Sequence, residues 1–279
     1  MRILAIGDYA GKLPEKFKNI VQKEKIDLVL SNGDYCPFSL RKLYFKYAYK
    51  KDVDFLKIIG KKKYKESALR DISKGEEIVK KLNKFSVPVF SVLGNNDYPA
   101  NDVVDMKKSW KFEWDILKNF EKVFKKYKNV KRIDYTYVKF GGYIFIGARG
   151  HSYPGRVKSK AYKKHRKILE KLFRKFRKEN KERRVIFLSH NVPYDTKLDI
   201  IKGLEAHEKA RGKHYGSKLI RRIIDKYHPV LHIAGHIDEG RGKQKLGRTL
   251  AINCGPADKG YGVIIDINKK GKIKTKFLR

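Results

Sequence analysis

Apolar residues along this chain gather in short runs, each closed by a small residue and then a polar one. Arg2–Ile6, Ile26–Leu30, Val89–Leu93, Val185–Leu188 and Val230–Ile233 are such runs. They are too short for helices and continuous enough for strands buried on both faces. Longer stretches between them place apolar residues at helical spacing, predicting helices over Pro14–Lys23, Ser67–Phe85, Asn101–Lys128 (with Trp110, Phe112 and Trp114) and Lys158–Lys181. Ile133, Tyr135 and Tyr137 alternate with polar residues up to Gly141-Gly142, and Tyr143–Ile146 follows, which reads as a hairpin. Strands at Thr249–Asn253, Gly262–Ile267 and Lys272–Phe277 are expected to complete a second sheet. Strands alternating with helices, and no linker or repeat, predict one α/β domain over residues 1–279. An extra helical stretch rich in Lys and aromatic residues is expected around 37–63.

The ends of the apolar runs carry the candidate chemistry. Arg2–Ile6 leads to Gly7-Asp8, Ile26–Leu30 to Gly33-Asp34, and Val89–Leu93 to Gly94-Asn95-Asn96-Asp97. Val185–Leu188 leads to Ser189-His190, and Val230–Ile233 to Gly235-His236-Ile237-Asp238. In open α/β sheets the carboxyl ends of the strands form the ligand-binding edge. Asp8, Asp34, Asn95, His190 and His236 are therefore expected in one cleft. A carboxamide oxygen such as that of Asn95 suits a divalent cation held also by carboxylates and imidazoles.

These five motifs, in this order, resemble the calcineurin-like metallophosphoesterases, whose pattern is D-x-H, GD, GNH(D/E), H, GHxH. The resemblance implies a four-layer α/β/β/α sandwich of two mixed sheets and a centre for one or two divalent metal ions. It assigns the bridging carboxylate to Asp34 and completes one metal position with Asn95, His190 and His236. The other position keeps Asp8, but Ala10 stands where the family has a His, and Asp238 replaces the last His of GHxH. An all-oxygen set of that kind favours Mg²⁺ or Mn²⁺ over Zn²⁺. Asn96 stands where the family has the His that protonates the leaving group, and an amide cannot give that proton. His151, which follows another strand toward the same edge, is a candidate for that task; its alternative is a solvated loop residue.

Charge widens the picture. Lys and Arg total 68 against 30 Asp and Glu, a formal balance of +38. So large an excess points to polyanions, with RNA or single-stranded DNA ahead of an acidic membrane. A thermophilic proteome with a Lys-rich surface is the alternative, but its ion-pair networks need matching acids. The excess is densest from Arg156 through Arg184, with fifteen Lys or Arg against three Glu. With the apolar face of Lys158–Lys181 docked on a sheet, Lys163, Lys164, Arg174 and Lys178 are left as candidate phosphate contacts. Two isolated cysteines exclude a disulfide framework. The absence of a leader or a membrane-length apolar run predicts a cytoplasmic protein without membrane contact. The leading functional expectation is a metal-dependent phosphoesterase with a nucleic-acid-related substrate. The alternative is a weakened member of the fold that binds RNA or a ribonucleoprotein without cutting it.

Overall fold

A computed structural model describes residues 1–48, 51, 53–97, 120, 122–151, 157–203 and 208–279. Twelve strands among them form two six-stranded mixed sheets. The first is built on β1 (Arg2–Ile6), β2 (Leu28–Ser31), β3 (Val89–Ser91) and β4 (Val130–Arg132), all parallel. β11 (Gly262–Ile267) pairs antiparallel with β1, and β12 (Ile273–Leu278) with β11. The second sheet runs β5 (Tyr137–Phe140), β6 (Tyr143–Ala148), β7 (Val185–Ser189), β8 (Leu231–Ala234), β10 (Thr249–Asn253) and β9 (Gly242–Leu246). Its inner four strands are parallel and both edge strands antiparallel.

Alternation along each strand divides the core into layers. Ile3 and Ala5 of β1 face the second sheet, meeting Phe145, Ile186, Leu188 and Ile233. Leu4 and Ile6 point the other way, onto Phe17 and Val21 of α1 (Lys16–Lys23) and Ile78, Val79 and Leu82 of α4 (Lys61–Asn83). On the far face of the second sheet, Leu169 and Phe173 of α5 (Lys160–Lys175) pack with Phe187 of β7 and with Ile220 and Ile224 of α7 (Lys218–Tyr227). A strand buried on both faces needs apolar residues at every position, which is why these runs lack polar alternation. Helix, sheet, sheet and helix thus stack as the expected α/β/β/α sandwich.

Three expectations need correction. Gly262–Ile267 and Ile273–Leu278 join the first sheet, since β11 pairs with β1 and not with β10. Lys158–Lys181 is two helices: α5 begins after Ser159, whose hydroxyl accepts the Tyr162 N–H, and stops at Phe176, and α6 spans Arg177–Lys181. The helix expected over Ser67–Phe85 starts earlier, at Lys61, and ends at Asn83. The amphipathic α7 and the edge strand β9 were not anticipated from sequence. Within 37–63 lie two short helices, α2 (Arg41–Tyr47) and α3 (Phe55–Ile59). Most of the stretch expected as a helix over Asn101–Lys128, with Trp110, Phe112 and Trp114, lies outside the described residues; its end at 122–126 is helical.

Candidate metal centre

Because β1, β2 and β3 run parallel in one sheet and β7 and β8 in the other, their carboxyl ends share one edge of the sandwich. Asp8, Asp34 and Asn95 arrive there from the first sheet, His190 and His236 from the second. Ligand atoms of Asp8, Asp34 and His190 lie within 4.8 Å of one another. The His190 Nε2 is 3.6 Å from Asp34 Oδ1, 2.7 Å from Asn95 Oδ1 and 3.1 Å from His236 Nδ1.

This packing fits a cation. The His190 Nδ1 lies 2.9 Å from the backbone carbonyl of Asn32, so that nitrogen carries the proton and Nε2 presents a lone pair. The amide of Asn95 is oriented by Nδ2, which donates to Asn96 Oδ1, leaving its Oδ1 toward His190. A neutral imidazole cannot donate to both the Asn32 and the Asn95 oxygens. A charged one could, but burial pushes the His190 pKa down to about 4. Burial, and next His190, push His236 down to about 3. The His190 Nε2 lone pair, the Asn95 carboxamide oxygen and the His236 ring nitrogen therefore converge beside Asp34, a donor set that a divalent cation satisfies.

The carboxylates tell the same story. Burial pushes Asp8 well above its ordinary range, with the Asp34 and Asp238 charges adding to the shift. Burial raises Asp34 to about 7, against the pull of the Asn96 backbone N–H and of the Arg41 guanidinium. Two carboxylates crowded in a dry site favour their protonated forms unless positive charge joins them. Local backbone is also given up to the site. Asp8, Ala10, Asp34 and His236 all have positive φ, at 54°, 44°, 55° and 74°, although none is Gly. Such conformations persist where the surroundings over-determine them, and they cluster at functional sites.

Close approach of the motif loops requires glycine at fixed places. A Cβ on Gly94 would sit 1.9 Å from Asp34 Oδ1, and one on Gly235 would sit 2.0 Å from Asp8 Oδ2. Behind the ligands lies a residue to which the sequence assigned no role of its own. Asp97 is fully buried and accepts the backbone N–H groups of Asp34, Gly94 and Cys36 at 2.8, 2.7 and 3.0 Å. It ties the two loops that carry Asp34 and Asn95 to each other. Its signal in the sequence is its place at the end of the GNH(D/E) pattern; the pairing of β2 with β3 creates the role. Asn32 was missed likewise: it is fully buried, offers its carbonyl to His190, and has a carboxamide with no hydrogen bond.

The remaining candidates fall in different places. Asn96 is half-buried, and both its backbone N–H and its Nδ2 donate to Asp34 at 2.9 Å, so it clamps the central carboxylate. His151 is buried and not a solvated loop residue. Its backbone N–H donates to Asn191 Oδ1, and its Nε2 lies 2.8 Å from Ser217 Oγ. Burial, and then the charges of His165 and His236, hold its pKa well below the ordinary value. Burial therefore favours its neutral imidazole, a weaker acid toward a leaving group than an imidazolium. Asp238 is exposed, on a 3₁₀ turn, with a carboxylate oxygen 3.7 Å from Lys259 Nζ and outside the close cluster. Ala10 is exposed where the family has a His. Lys163, Lys164, Arg174 and Lys178 are all exposed on α5 and α6. Among the described residues, no helix is long and apolar enough to cross a membrane.

Comparison with known proteins agrees with this architecture. Protein MJ1162 of Methanocaldococcus jannaschii is 26% identical over 268 residues, covering 94% of this chain and 91% of its own. One crystal structure aligns with the whole chain at a TM-score of 0.67 and 19% identity, covering 99% of its own length. The crystal structure of TT1561 of Thermus thermophilus aligns over the whole chain and 99% of its own at 0.54 and 16%. At these identities the two structures speak for the fold alone. The sequence profile of the calcineurin-like phosphoesterases matches residues 1–239, and with five motifs converging at one sheet edge, the chain belongs to the calcineurin-like phosphoesterase family.

Proposed function

We propose that this protein is a metal-dependent phosphoesterase acting on a nucleic-acid-related phosphate ester. The observation that carries the reading is the convergence of His190 Nε2, His236 Nδ1 and the Asn95 carboxamide oxygen beside Asp34, with no proton between His190 Nε2 and the Asn95 oxygen. Asp34, Asn95, His190 and His236 would hold one divalent ion, and Asp8 with Asp34 would supply a second, oxygen-only position. That second position favours Mn²⁺ or Mg²⁺ over Zn²⁺. A cation bound there polarises a phosphoryl oxygen and lowers the pKa of its water. The chain's own part is to fix geometry. Asn32 sets the His190 tautomer, Asp97 locks the Asp34 and Asn95 loops together, and Asn96 orients Asp34.

The positive charge of the chain supports a polyanionic substrate, with Lys163, Lys164, Arg174 and Lys178 proposed as phosphate contacts. A second reading is favoured by one specific feature. Ala10 takes a ligand from the second metal position and Asn96 stands in place of the family's proton donor, which suits a module of this fold that binds RNA without cutting it. The deciding experiment is hydrolysis of bis-p-nitrophenyl phosphate in Mn²⁺. The enzyme reading expects turnover that is lost in EDTA and in Asp34→Ala. Mn²⁺ binding without turnover would select the binding module.

A further inference from the structure

We infer that a cationic trough on the outer face of the second sheet, between α5–α6 and α7, holds the backbone of a single-stranded nucleic acid. Two shallow pockets make it, of about 560 and 340 Å³, and they meet at Lys226. The first is lined by Tyr194 and by Lys218, Arg221, Arg222 and Asp225 of α7. The second is lined by Arg174, Arg177 and Lys181 across from Tyr227. The sequence pointed to α5 and α6; the trough needs α7 beside them, and of the residues first singled out only Arg174 lines it.

Its walls are well built. Apolar residues of α7 (Leu219, Ile220, Ile223, Ile224) are buried on the sheet, which forces Lys218, Arg222 and Lys226 outward. Tyr227 stacks on Phe173 of α5 with centroids 5.0 Å apart, joining the two helices. Acid is short throughout. Arg174, Arg222 and Lys226 all share Glu170, at 4.0, 3.9 and 3.4 Å. Asp225 is already bound by Arg221. Three cations on one carboxylate repel each other, and a row of phosphates relieves that repulsion.

Position favours a strand over other polyanions. Tyr194 lies four residues past His190, and Ser217, which caps α7, also bonds His151. The trough therefore starts at the sheet edge that carries the metal centre and leads away from it along α7. Tyr194, with Lys218 Nζ 5.0 Å from its ring, offers a face for a base at that end. A lipid surface would need exposed apolar side chains beside the cations. The exposed large apolar residues among those described are Tyr47, Val53, Ile58, Leu69 and Val157, none of them in the trough.

The test is fluorescence anisotropy of labelled oligouridylate in EDTA, across a salt series. This keeps binding separate from the phosphoesterase reading, which fails or stands on turnover alone. Binding should weaken with salt at a log–log slope of about −0.7 per phosphate neutralised. Reversing Arg177, Arg222 and Lys226 to Glu should flatten the slope by about 2, because three phosphates then go without their cations. Reversing Lys269, Lys270 and Lys274, exposed near the other end of the fold, changes net charge equally and should leave most of the affinity. Should the first triple variant misfold, the same three positions changed to Gln give the same comparison. Equal losses in the two sets would overturn the trough. So would absence of oligouridylate binding alongside binding to phosphatidylserine vesicles.

Discussion

The Asp97 carboxylate accepts the backbone N–H of Asp34 at 2.8 Å and that of Gly94 at 2.7 Å through one oxygen, Oδ2. The other oxygen accepts from Cys36. One side chain thereby fixes the spacing between the loop that ends β2 and the loop that ends β3. Removing it strands three buried donors, at about 1–3 kcal/mol each. Asp97→Ala should therefore lower the unfolding free energy by at least about 2 kcal/mol, and should weaken Mn²⁺ binding by tenfold or more. Calorimetric titration reads the second effect. Wild-type Mn²⁺ affinity in a folded Asp97→Ala protein would show that the clamp does not position the ligands.

Metal stoichiometry follows from the unequal halves of the site. His236→Ala and Asp34→Ala each remove a ligand from the position with two imidazoles, and both should lose the tighter ion. Ala10 is exposed where the family has a His, so Ala10→His adds a nitrogen donor there. It should raise the number of Mn²⁺ ions bound at a fixed concentration. Unchanged titrations in both alanine variants would mean that the ion binds elsewhere.

Leaving-group chemistry gives a sharper test of Asn96. Asn96→His restores a group able to carry a proton, worth about 10²–10⁴-fold where the leaving oxygen is a poor one. It should change nitrophenyl ester hydrolysis little, because that leaving group needs no proton. Asn96 Nδ2 also donates to Asp34, so the variant is compared with wild type at saturating metal. Similar gains on both esters would assign the effect to metal binding instead.

Acid should destabilise the fold through histidines that the metal centre does not use. His165 stacks on Tyr135, and burial, followed by the charges of Arg149 and Lys164, lowers its pKa to about 3 from an unfolded value of 6.5. Between those values the unfolded chain binds the extra proton, so this residue's contribution is full above pH 6.5 and falls as pH drops toward 3. Chemical denaturation of wild type and His165→Phe should diverge over that window, wild type losing more. Parallel pH curves would show that His165 is protonated in the fold without cost.

The sequence by itself determined which residues could make the site and how the strands would be buried. Unbroken apolar runs fix strands covered on both faces, and the polar residue after each run must then fall at a sheet edge. That is enough to place Asp8, Asp34, Asn95, His190 and His236 together, since parallel strands bring their carboxyl ends to one side. Tertiary structure decided what local pattern cannot carry. β11 pairs with β1 across more than two hundred and fifty residues, and nothing in Gly262–Ile267 states which strand it will meet. His151 was legible as a residue near the edge, but its burial against Ser217 depends on the start of α7. Asp97 was legible as the end of the GNH(D/E) pattern, but only the adjacency of β2 and β3 turns its carboxylate into a clamp. The basic surface was legible as charge and not as shape. Charge is a sum over composition, whereas a trough exists only once Phe173 and Tyr227 pack α5 against α7.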